Sequence, residues 1–264
     1  MKDWEKFEIS CTGYLNSSFG KYAQFIHTGG SDSTKPDIAV VLNNGKRFYM
    51  EAKKCPAQCG QFVLIPDIKK RIFKYSDGNS EPLNFNSEAI IKHMNNFFDE
   101  YMNAGTAGKD ICLNNGSAIF SEWIINSYKN RGVRFIITDD EMILPIEKFV
   151  SYFEVTACYR IKRSGSGNVG QKNINEISKY LKKNFTIKDC FQQEKKLFIS
   201  SDIDLHDRRF FFNETEYMIS RRESKYEIRR LSNTFNANVI FSIGRKPDIE
   251  GLSSEEFISF LAEV

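Results

Sequence analysis

The chain has 264 residues, 41% hydrophobic and 14% aromatic, with a formal net charge of only +3. That is enough apolar material for a sizeable core, as one elaborated domain or two to three small ones. The charged start MKDWEKFE has no apolar signal core, and no run of roughly 18 apolar residues occurs, which excludes a membrane-spanning helix and points to a soluble cytoplasmic protein.

The first element expected is a helix. Trp4, Phe7, Cys11 and Leu15 recur at helical spacing, and Asp3 is suited to cap its start. Glu8 falls inside the apolar arc of that helix, between the directions of Leu15 and Phe19. A carboxylate there is costly unless something pairs with it.

A β-hairpin follows. Residues 38–42 and 48–52 are apolar, β-branched or aromatic, and Asn43-Asn44-Gly45 between them is a turn signal. A two-residue loop would set Ile38 opposite Glu51 and mix charged with apolar groups on each face. A three-residue loop, with Gly45 in the left-handed position, pairs Leu42 with Lys46 instead. Ile38 then faces Met50 and Val40 faces Phe48 on one apolar side. The other side aligns Asp37 with Glu51, Ala39 with Tyr49 and Val41 with Arg47, and Lys53 follows Glu51 at the same pleat phase.

Beyond the hairpin come a strand in QFVLIP, a basic stretch at Lys69-Lys70-Arg71 and a loop over 76–86. Helices are expected over 87–102 and 120–129. Val133–Thr138 reads as a buried strand, 145–153 as a short helix, and 156–162 as a strand entering a glycine-rich turn. A helix over 172–183 precedes strands at 196–200, 208–213, 226–231 and 239–243. The mixture predicts an α/β or α+β fold with mixed sheets, divided near residues 110 and 185. No repeat or low-complexity tract interrupts it. The six cysteines share no recurring spacing and read as reduced thiols.

Two aligned carboxylates repel each other unless a cation sits between them. An oxygen-only pair suits Mg²⁺, which keeps several waters and accepts phosphate oxygens. Lys53 would orient the attacking water or help deprotonate it, and would balance growing negative charge. Spacing alone also fits an ordinary hairpin with surface charges; Pro36 and the face analysis favour a site. Basic clusters at 69–71, 129–134, 160–163, 182–183, 221–222 and 229–230 together make a salt-sensitive phosphate-binding surface plausible, although each alone reads as a solvated face.

The pattern P-D-x13-E-A-K resembles the active-site motif of the PD-(D/E)xK nuclease superfamily, which includes most type II restriction endonucleases. The blocks DWEKFEISCTGYLN, SDST, EAKKCPAQCGQFVLIP, LPIEKFVSYFEVTACYRIKRSGS and LSNTFNANVIFSI are similar to a family of these enzymes whose target is GCGC. The resemblance implies a mixed sheet flanked by helices, with a catalytic domain over 1–110, a recognition region over 111–185 and a strand-rich DNA-binding region over 186–264. It implies Asp37 and Glu51 as ligands of Mg²⁺, with Mn²⁺ a substitute, Lys53 aiding the nucleophile, and Glu8 and Gln61 in support. Double-stranded DNA and a protecting methyltransferase are the partners implied, and a monomer the expected state. On YRIKRSGSGNV, Arg160, Lys162, Arg163, Ser164, Ser166 and Asn168 have the chemistry to read guanine edges, with phosphate contact alone as the alternative. Lys69 and Lys70 are candidate phosphate contacts. Another nuclease of the superfamily, for repair or junction cutting, and a non-catalytic DNA-binding protein on the same scaffold remain the competing readings.

Overall fold

The computed structural model describes residues 3–29, 35–105, 107–163, 166–231 and 235–263. The chain separates into two compact units, one formed by Met1–Arg160 with Ala237–Val264 and the other by Ile161–Asn236. Boundaries near 110 and 185 were expected. The chain instead leaves the first unit at 160 and returns at 237, a long-range pairing that local periodicity does not reveal.

The first unit opens with α1 (Asp3–Phe19), β1 (Ala23–His27), β2 (Ile38–Leu42) and β3 (Arg47–Lys53). The hairpin takes the three-residue loop. Gly45 sits at φ +84, Gly45 N–H donates to the Leu42 carbonyl, and Leu42 N–H to that of Lys46. Ile38 faces Met50, Ala39 faces Tyr49, Val40 faces Phe48 and Val41 faces Arg47. Next come β4 (Ala57–Asp67), β5 (Ile72–Tyr75), α2 (Phe85–Asn96), α3 (Phe98–Met102) and β6 (Lys109–Asp110). The single helix expected over 87–102 is broken at Phe97, whose backbone (φ −121, ψ 37) leaves the helical region. The unit continues with α4 (Gly116–Asn130), β7 (Val133–Thr138), β8 (Ile143–Pro145), a 3-10 turn, α5 (Phe149–Tyr152) and β9 (Phe153–Arg163).

Two five-stranded sheets result. The first has the order β1-β2-β3-β7-β8, and β3 and β7 are parallel in it, joined by the long crossover through α4. Its apolar face carries Ile38, Val40, Phe48, Met50, Phe135 and Ile137, packed under Leu15 and Phe19 of α1. Each such side chain contributes about 1.5–3 kcal/mol on burial.

The second unit contains β10 (Ser166–Asn168), α6 (Ile174–Asn184), β11 (Asp189–Gln193), β12 (Lys196–Ser200), β13 (Arg209–Phe212), β14 (Thr215–Arg222) and β15 (Lys225–Leu231). The strand order is β11-β12-β15-β14-β13, with β10 also paired to β15. Ile174, Ile177 and Leu181 form one stripe of α6 and pack with Leu197, Ile199, Phe210, Tyr217, Ile219 and Ile228. The β13–β14 turn has Asn213 and Glu214 both at positive φ, 46 and 60, as a two-residue hairpin of matching twist requires.

The chain then returns as β16 (Phe235–Arg245) and ends in α7 (Ser254–Glu263). The second sheet of the first unit is β5-β4-β16-β9-β6, its core built on Phe62, Phe241 and Trp123. Gly60 makes that packing possible, because a Cβ there would lie 2.7 Å from Trp123 Cζ3. From α7, Phe257 and Leu261 join the core under the first sheet. No helix among the described residues is long and apolar enough to cross a membrane.

Candidate active site

The hairpin register carries Asp37 and Glu51 to the same side, and their oxygens converge on one lysine. Lys53 Nζ lies 3.2 Å from Asp37 Oδ2 and 2.6 Å from Glu51 Oε2. Asp37 Oδ2 also accepts the Ala52 N–H at 2.9 Å, which ties its carboxylate to the far strand. The other Glu51 oxygen, Oε1, is 3.3 Å from Arg131 Nη1. Glu51 is only 3% exposed, so its charge depends on these two cations.

Burial pushes the Glu51 carboxyl up, and Asp37 adds to this, while Lys53 and Arg131 oppose it. Burial works against the Lys53 ammonium, but Glu51, then Tyr128 and Asp37, outweigh it and hold its pKa well above that of ordinary lysine. Lys53 is therefore a stable cation in this setting. Nearby, burial pushes the Cys59 thiol up to about 12, which makes it an inert, packed side chain.

These groups open onto a cavity of about 960 Å³, lined by Glu8, Asp37, Glu51, Lys53, Gln61 and Arg131 among others. All five residues expected to form or support a site thus lie along one cavity. Glu8 is buried as its helical direction required, and its Oε2 lies 2.9 Å from His27 Nε2 at the end of β1. Burial raises its pKa against the lowering effect of that hydrogen bond. Gln61 is exposed on β4 and accepts from Gln58 Nε2 at 3.2 Å. The loop before α2 also lines the cavity, and in it Glu81 accepts from Ser127 Oγ at 2.8 Å and Asn130 Nδ2 at 3.1 Å.

The donor set fits a hard divalent ion that keeps most of its waters. Two carboxylate oxygens face one point, a cation already satisfies both there, and the cavity leaves room for water. Among the described residues no group of three or more His, Cys, Asp or Glu is arranged to hold a metal, so waters and a substrate oxygen would complete the coordination.

Other expected residues lie elsewhere. Lys69 and Lys70 occupy the exposed turn between β4 and β5 and do not line the cavity. Arg160 is half-buried on β9, its Nε enclosed without a hydrogen-bond partner among the described residues. Asn168 is exposed on β10, opposite Arg229 of β15. Ser164 lies outside the described residues, as do the side chains of Lys162, Arg163 and Ser166, residues 232–234 and the block at 31–34. Sequence reasoning did not single out His27, Glu81, Tyr128 or Arg131. Arg131 was visible only as part of the basic run 129–134, and His27 only as one of three histidines.

No family model matches the sequence, and no curated protein matches it. Among solved structures, one of HhaI endonuclease in complex with DNA matches with a TM-score of 0.80 and 38% identity, covering 99% of this chain and 98% of that one. Likeness of this extent, in fold and in sequence, is that of a type II restriction endonuclease. The chain belongs to the HhaI endonuclease family.

Proposed function

We propose that this protein is a Mg²⁺-dependent restriction endonuclease that cuts both strands of duplex DNA at GCGC, on a PD-(D/E)xK core. The observation that carries the reading is the meeting of Asp37 Oδ2 and Glu51 Oε2 at Lys53 Nζ within an open cavity. The DNA complex of the HhaI endonuclease supports duplex DNA as the ligand.

Asp37 and Glu51 would hold the ion. When bound, Mg²⁺ lowers the pKa of a coordinated water and stabilises charge on the phosphate. The chain's own groups do the rest. Lys53, hydrogen-bonded between its two acids, orients the attacking water or helps to deprotonate it, and balances the negative charge that grows on the phosphate. Glu8 keeps the His27 side of the cavity fixed, and Gln61 offers a neutral amide at its lip.

Base reading falls to Arg160, Lys162, Arg163, Ser164, Ser166 and Asn168, with Lys69 and Lys70 on phosphates. Arg229 lies opposite Asn168 on the neighbouring strand, and an Arg beside an Asn matches the paired acceptor and donor pattern of base edges in the major groove. A protecting methyltransferase and a prokaryotic cytoplasm complete the proposal. The test is digestion of a plasmid of known sequence with Mg²⁺, followed by sequencing of the ends. Ends at GCGC are expected. Ends at another fixed sequence would overturn the target, and scattered ends would replace the reading with an unspecific nuclease.

A further inference from the structure

Arg131 stands at the end of α4, where Gly132, at φ +73, turns the chain into β7. Tyr49 N–H of β3 donates to the Gly132 carbonyl at 3.0 Å, and β7 runs parallel to β3 from there. The crossover so delivers Arg131 to Glu51, 80 residues away in sequence.

The guanidinium is seated on three groups. Nη1 lies 3.3 Å from Glu51 Oε1, Nε donates to the Ser127 carbonyl at 3.3 Å, and the guanidinium carbon is 4.9 Å from the centre of the Tyr128 ring. Tyr128 is fully enclosed, so its ring is a fixed platform. With Oε1 pinned, the terminal torsion of Glu51, which is soft in a free glutamate, is set so that Oε2 meets Lys53 Nζ.

We propose that Arg131 is a positioning residue that clamps Glu51 Oε1 and thereby aims Oε2 at the gap shared with Asp37, where a divalent cation binds. The inference rests on the nuclease reading above. It is a claim about geometry more than charge. A positive charge beside a cation site is repulsive, whereas a planar fork that stacks and donates in two directions fixes a carboxylate. Lysine keeps the charge and loses the fork, so Arg131→Lys separates the two effects, and Arg131→Met removes both.

The test is calorimetric titration of DNA-free protein with Mn²⁺, together with the Mg²⁺ dependence of plasmid cleavage and the melting temperature. Arg131→Lys, which keeps a cation beside Glu51, is expected to melt near the wild type, and Arg131→Met somewhat lower, because it leaves the buried carboxylate one cation short. Arg131→Lys is expected to weaken Mn²⁺ binding, and to raise the Mg²⁺ needed for half-maximal cleavage, by about 10–100-fold, the range typical of groups that orient metal ligands. An Arg131→Lys protein matching wild type in both, or either variant binding Mn²⁺ more tightly, would overturn the clamp. Variants that melt far below wild type and lose DNA binding in parallel would overturn it too, by making Arg131 a structural residue. A wild-type protein that neither binds Mn²⁺ nor cuts DNA would remove the nuclease reading itself, which is a different result.

Discussion

Glu8 Oε2 and His27 Nε2 lie 2.9 Å apart beneath Gly29, whose missing side chain leaves room for the pair. A Cβ at Gly29 would collide with that same carboxylate oxygen. Glu8→Gln keeps the shape and the hydrogen bond and removes the charge. A cleavage rate lower by roughly tenfold is expected, the lower end for a group supporting a metal site. A rate equal to wild type would make the pair purely architectural.

The same substitution has a stability signature. Burial raises the Glu8 pKa, so folding disfavours its charged form. Such a group adds its stability below the unfolded pKa and loses it as pH rises through the folded value, whereas glutamine does not titrate. Thermal melts should therefore show Glu8→Gln gaining on wild type as pH rises from acid toward neutral. A gap that stays constant with pH, or runs the other way, would contradict the burial argument.

Asp37→Ala and Lys53→Ala should lose turnover by roughly 10²–10³-fold, the scale for removing one preorganised group that stabilises developing charge. Duplex binding in Ca²⁺ should survive in both, because the proposed mechanism has these groups act mainly on the transition state. Excess EDTA should abolish wild-type cleavage. Gel-shift affinity falling in step with the rate in Lys53→Ala would assign that lysine to substrate binding instead.

Gly60→Ala tests the packing behind Gln61. The new methyl would meet the Trp123 ring, which is itself packed on Phe241 and Phe62. A loss of about 1–3 kcal/mol is expected for overpacking a tight core, read by denaturant unfolding followed through tryptophan fluorescence. An unchanged midpoint would mean the ring yields freely.

Among the described residues Asp37, Glu51 and Lys53 form one such cluster, so a monomer would cut the two strands of a symmetric site in turn. Nicked circles are then expected to accumulate before linear DNA in a time course on a supercoiled plasmid with one site. Direct linearisation, with a dimeric mass in solution, would assign the second strand to a second subunit and leave the cluster as described.

The hairpin was legible because two local constraints agree in it. Only one register separates Ile38, Val40, Phe48 and Met50 from the charges, and Gly45 permits the turn that register needs. Glu8 was legible because helical geometry alone sends it inward. β14 was not, because its turn uses Asn213-Glu214 without glycine, and a glutamate at positive φ carries no signal. Arg131 and Glu51 come together through the parallel pairing of β3 with β7, and β16 finds β4 across most of the chain. Both are tertiary choices that no window of neighbouring residues encodes.

Strands β9 and β16 are neighbours in one sheet, and the whole segment 161–236 is spliced between them. Topologically it is an enlarged loop. The carboxylates, their lysine and the arginine all belong to the frame that the splice leaves intact. A lineage could therefore rewrite that segment by substitution, duplication or exchange while inheriting the cluster around Lys53 unaltered. Kin of this protein with diverged 161–236 counterparts and unchanged partners of Asp37 and Glu51 would be the natural record of such tinkering.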